Sequence, residues 1–177
     1  LGGVIHARRL ELGFEPEHSP ERTRQRAMQE RDRARDRFMD TVFAEFRSGS
    51  PRNAFETIRR RVEASEDRLE EYAWIHECVA RWPDSRLAIR VAQAWLPLLL
   101  AAGRTGEALK VTKASIEADA GFHPLAADDA LRLARLARDG GDRPLARRLL
   151  AGFDSRYPDE EARRAALILA EQLDNRQ

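Results

Sequence analysis

His76, Glu77 and Cys78 stand in a row, the densest grouping in the chain of an imidazole, a carboxylate and a thiol. Together those groups would activate a thiolate nucleophile or begin a zinc site. Their spacing argues against both. Residues two apart on a helix project about 200° from each other, and no H-E-x-x-H or C-x-x-C pattern accompanies them. Cys78 reads instead as a small core residue. As the single cysteine, it excludes an internal disulfide and a multi-cysteine zinc centre. Asp128-Asp129 and Asp159-Glu160-Glu161 fall at predicted helix starts, where the dipole alone favours acids. His123, beside Pro124, reads as a helix-entrance cap, while His6 and His18 are isolated. GRTGEALK, from Gly103 to Lys110, lacks the spacing of a phosphate loop, and no serine stands in a G-x-S-x-G elbow. No catalytic residue, metal or cofactor is assigned, and the expectation is a protein that is not an enzyme.

Arginine is the other chemically loaded type. Arg22, Arg24, Arg26, Arg31, Arg33, Arg35 and Arg37 crowd one segment, but Glu21, Glu30, Asp32 and Asp36 are interleaved among them. Alternating signs on a helix mark a solvated, ion-paired surface, and aromatic residues for base stacking are missing from that stretch. The net charge of +1 and a pI near 8.2 supply no general pull toward nucleic acid or an anionic membrane. A nucleic-acid-associated role for residues 22–37 is therefore the alternative function rather than the first.

The elements that must position these residues are helices throughout. Ser19-Pro20 and Ser50-Pro51 each read as a serine cap followed by a proline at the first helical position. The first helix runs from Pro20 to about Arg47, with Ala34, Phe38, Val42 and Phe46 recurring every four residues and Met39 and Phe43 widening the stripe. A second spans Pro51 to Ala64, and a third runs from Ser65 to Trp82, where Pro83 stops it. The fourth runs from Asp84 to Gly103 with a kink expected at Pro97, and Thr105 caps the fifth. The sixth lies between Pro124 and Asp139, the seventh between Asp142 and Arg156, and the eighth between Pro158 and about Leu173. Residues 1–18 carry Gly13 and Pro16 without helical period, which reads as an extended lead-in or juxtamembrane tail. LGGVIHARR, apolar and then basic at His6, Arg8 and Arg9, resembles the exit of a membrane helix, so a tether upstream of Leu1 is one expectation and an arbitrary boundary the other. The chain itself holds no run of about 18 apolar residues.

One pattern repeats. Glycine is followed five positions later by alanine at Gly49 and Ala54, at Gly103 and Ala108, and at Gly141 and Ala146. A glycine corner folds two helices back on each other, and an alanine at the crossing lets their axes come close. Those residues, with Tyr157-Pro158 closing the last unit, resemble the tetratricopeptide repeat, a helical hairpin of about 34 residues. The resemblance covers roughly Asp84 to Pro158, and is similar to divergent bacterial repeats forming soluble tails of multi-pass membrane proteins. It implies an all-α domain over residues 19–177, about eight helices in antiparallel hairpins stacked as an α-solenoid. It further implies a non-enzymatic protein-interaction or scaffold module in the cytoplasm, at the cytoplasmic face of a bacterial inner membrane if tethered. Transfer of the family's groove positions selects Arg90 and Gln93 on the fourth helix and Asp128, Arg135 and Arg138 on the sixth, where arginines would hold an acidic peptide or a terminal carboxylate. Homo-oligomers are a further expectation, paired through the apolar rear of the first helix or through Ala162, Ala165, Ala166, Leu169 and Leu173 of the last.

Overall fold

Three of the chain's corners are made the same way. Gly49, Gly103 and Gly141 have φ of 85°, 72° and 83°, the left-handed region that side-chain-bearing residues rarely enter. In each case the next residue's N–H reaches back five positions: Ser50 to the Glu45 carbonyl at 3.3 Å, Arg104 to Leu99 at 2.9 Å, and Asp142 to Ala137 at 2.8 Å. Such a bond satisfies a carbonyl orphaned at the helix end and turns the chain sharply. The alanines five positions beyond, Ala54, Ala108 and Ala146, are fully buried, as close crossing of two axes requires.

The computed structural model describes residues 19–82, 84 and 86–175, and is all-helical there. Its helices are α1 (Pro20–Arg47), α2 (Pro51–Glu63), α3 (Arg68–Val79), α4 (Arg86–Ala101), α5 (Thr105–Ala118), α6 (Ala127–Asp139), α7 (Arg143–Leu150), α8 (Phe153–Arg156) and α9 (Glu160–Asp174). The lead-in over residues 1–18 and the stop at Pro83 lie outside the described residues. The expected seventh helix is two pieces, because Gly152 adopts φ 65° and breaks it between α7 and α8. Nor do the serines act as expected: neither Ser19 nor Ser50 caps through its side chain. The side-chain caps are aspartates, with Asp67, Asp142 and Asp159 accepting from the amides of Glu70, Leu145 and Ala162. Thr105 is the first residue of α5 rather than its cap, and α4 runs unbroken through the exposed Pro97.

Each helix packs on its successor from α1 to α7, and a second set of contacts skips one element, α2 on α4 and α4 on α6, while α9 returns past two to lie on α6 as well as against α7 and α8. One core cluster runs the length of this arrangement, from Val42 on α1 to Leu173 on α9. Ile58, Ile75, Leu87, Leu96 and Leu99 are wholly buried in it. Each contributes about 1.5–3 kcal/mol relative to exposure. A smaller cluster of Leu131, Phe153, Tyr157, Ala162 and Ala166 joins α6, α8 and α9. Side chains on α1 meet α3 through Phe38 and Trp74, with centroids 6.0 Å apart, and meet the segment just after α3 through Phe43 and Trp82 at 4.9 Å. The front of α1 adds nothing to the apolar core: from Pro20 to Ala34 only Arg22 is other than exposed, so Ala34 does not belong to the apolar stripe.

Residues 119–126, between α5 and α6, are held by their main chain. Gln93 donates to the His123 carbonyl at 2.8 Å, Arg148 to that of Ala120 at 2.8 Å, and the Tyr157 hydroxyl to that of Pro124 at 2.5 Å. Phe122 is buried beneath them. This clamp keeps residues 124–126 out of the helix, so α6 begins at Ala127 instead of beside Pro124, and His123 is no cap. The stripe expected to pair between chains is also used internally: Ala162, Ala166, Leu169 and Leu173 are all buried against the rest of this chain.

Candidate partner-binding site

The first half of α6 and of α9 diverge enough to leave a cleft of about 690 Å³. On α6, Asp128, Leu131, Arg132 and Arg135 line it, at the spacings that place residues on one helical face. Asp159, Glu161, Ala162 and Ala165 line the opposite wall. Small side chains on the floor leave room for a backbone to lie close, and the rim carries both signs of charge. Arg132 and Arg135 are exposed and make no hydrogen bond or ion pair within 4 Å among the described residues. Asp159 already caps α9 through the Ala162 amide at 2.6 Å. Asp129 turns inward from Asp128, and burial raises its pKa against the lowering influence of Arg132.

Of the five residues that the repeat resemblance selects, the structure brings together Asp128 and Arg135 in this cleft. Arg138, one turn on, is tied to Asp139 at 2.9 Å and to Gln172 on α9 at 2.5 Å. Gln93 is occupied by the His123 carbonyl. Arg90 lies elsewhere, its guanidinium 5.9 Å from the centre of the Phe55 ring on α2. Arg132 joins the site although the family offsets did not select it. Its place four residues after Asp128 and three before Arg135 was the available signal.

The reactive trio on α3 disperses. His76 packs against Trp95 with centroids 5.5 Å apart, and its burial lowers its pKa from the ordinary 6.5. Glu77 pairs with Arg81 on the surface. Cys78 is half-buried rather than a core residue, and burial raises the pKa of its thiol. Among the described residues, no three His, Cys, Asp or Glu side chains come together as a metal site. On the arginine-rich half of α1, Arg31 and Arg35 lie 3.9 and 3.7 Å from Glu70, and Arg35 also sits 5.0 Å over Trp74.

No protein-family model, curated protein or solved structure matches this chain. Among the described residues no helix is long and apolar enough to cross a membrane.

Proposed function

We propose that this chain is a non-enzymatic partner-binding module, its hairpins stacked as a tetratricopeptide-like α-solenoid, and that the α6–α9 cleft receives a peptide segment. Three glycine corners of one geometry, packing of each helix on its successor from α1 to α7, and the next-but-one contacts of α2 with α4 and α4 with α6 support the architecture. The observation that carries the function is the pair of internally unpaired guanidiniums, Arg132 and Arg135, beside a floor of alanines. An acidic side chain or terminal carboxylate would take forked hydrogen bonds from them. Asp159 and Glu161 across the cleft favour a basic or amide-bearing residue alongside, which sets the direction of the peptide.

Selection of peptides from a displayed library on the intact protein tests this. Acidic residues should emerge at one position, and Arg132→Ala with Arg135→Ala should weaken the best peptide at least about tenfold, the loss of one charge-assisted contact. Arg90→Ala, outside the cleft, should leave affinity unchanged. Equal binding by the double variant would reject the site.

The apolar start followed by His6, Arg8 and Arg9 supports tethering at the cytoplasmic face of a bacterial inner membrane, and a hydrophobic span encoded just ahead of Leu1 decides it. The exposed front half of α1 favours a second reading, in which Arg22 to Arg37 contact nucleic acid. That reading requires binding to single- or double-stranded probes that falls steeply as salt rises, and no binding at low salt removes it.

A further inference from the structure

A surface helix that buries one side carries an apolar stripe, not an apolar belt. The last helix departs from this: Ala165 to Ala170 reads AALILA, apolar all the way round. Ala166 and Leu169 face the body, while Leu167 and Ile168 point away, 65% and 57% exposed. They are the only adjacent pair among the large exposed apolar side chains of the described residues. Arg164 and Glu171 lie on the same outward face, three residues before Leu167 and three after Ile168. At helical spacing these four form one patch directly opposite the buried face.

That patch has a symmetry of its own. Turned end for end about the midpoint between Leu167 and Ile168, it puts Arg164 where Glu171 was and exchanges the two apolar residues. We infer that α9 is a self-association surface whose occupant is α9 of a second copy of this chain, antiparallel about a two-fold axis. Leu167 and Ile168 meet their counterparts, and Arg164 faces Glu171 of the second copy on both sides of the axis. Only one terminal nitrogen of Arg164 is engaged at home, by Glu160 at 2.6 Å, so its remaining donors are free for that pair. Leu167 also walls a recess of about 420 Å³ between α9 and the α7–α8 segment, floored by Leu150, Phe153 and Ala166, into which an opposing apolar side chain can enter. The patch is separate from the α6–α9 cleft, so this inference goes beyond the peptide-binding reading and does not depend on it.

A single helix pair buries less than the roughly 1,600 Å² of a tight interface, so the dimer is weak, with a dissociation constant of about 100 µM. Sedimentation equilibrium of the full chain from about 10 µM to about 1 mM brackets that value. Leu167→Glu should weaken association at least tenfold, to about 1 mM or beyond, while the circular dichroism melt stays in place because the side chain is exposed. Arg164→Glu places like charges together in its own dimer, and so does Glu171→Arg, so each alone should be monomeric. Mixed in equal amounts, the two should re-form a dimer, because every charge then faces its opposite. A monomeric parent across the range overturns the proposal, as does a dimer indifferent to Leu167→Glu or a mixture that stays monomeric.

Discussion

Replacement of Arg61 by alanine is expected to lower the unfolding free energy by about 3 kcal/mol. Arg61 leaves α2 and donates through Nε to Glu71 on α3, a carboxylate with 8% of its residue surface exposed. Its guanidinium also lies 4.4 Å from the centre of the Phe38 ring on α1 and 5.3 Å from that of Trp74 on α3. One side chain therefore joins three helices. Its removal strands a charge in a poorly hydrated place and takes away the cation between two rings. The reverse truncation, Glu71→Ala, should cost less, about 1 kcal/mol, because Arg61 keeps 30% of its side chain in water and can turn outward. Glu71→Gln added to Arg61→Ala should recover part of the loss, since an amide tolerates burial better than a carboxylate. Urea unfolding at neutral pH reads all three. A loss below about 0.5 kcal/mol for Arg61→Ala would mean that solvent reaches Glu71 after all.

Tyr157→Ala should be at least as damaging, about 3–4 kcal/mol. The ring is 5% exposed and packs on Phe153 at 4.5 Å, so it anchors the smaller core cluster. Tyr157→Phe separates the hydroxyl from the ring and should cost only about 1 kcal/mol, the value of one hydrogen bond whose acceptor is left unsatisfied. The same hydroxyl gives a pH signature. Burial pushes its pKa up from the ordinary 10.0 to about 12. A folded-state pKa above the unfolded value means that the contribution is complete below pH 10 and disappears as pH climbs through 12. Unfolding at pH 9 and pH 11.5 should thus show a fall in stability that Tyr157→Phe lacks in part. The comparison with that variant is needed because burial also raises the pKa of Tyr72.

What the sequence reveals and what it conceals divide along the range of the interactions. The glycine corners were legible because a corner needs only its own five or six residues, and Gly49, Gly103 and Gly141 all turn as their positions imply. Gly152 was not, since Leu149, Leu150 and Phe153 keep a helical period across the break. Gln93 and Arg138 are engaged by partners 30 and 34 residues away, so no local pattern reveals that their donors are already taken. The buried face of α9 was legible, since Ala162, Ala166, Leu169 and Leu173 of the expected stripe are the residues it buries, but the partner that covers them was not. An apolar stripe fits a second chain as well as its own by pattern alone, and the contacts with α6, α7 and α8 cover it from within and leave Leu167 and Ile168 outward. Arg132 was passed over because offsets transferred from a repeat do not know how wide the terminal helix stands from its neighbour.

The clamp on residues 119–126 grips oxygens that every amino acid possesses: those of Ala120, His123 and Pro124. The side chains of Phe122 and Pro124 are buried beneath it, the Asp119 carboxylate accepts from the Gly121 amide at 2.8 Å, and the His123 ring lies 6.3 Å from that of Tyr157. The segment can consequently exchange the exposed Ala120 or Leu125 for other residues and keep its path, so that its outer lettering is free to drift while the frame around it stays still.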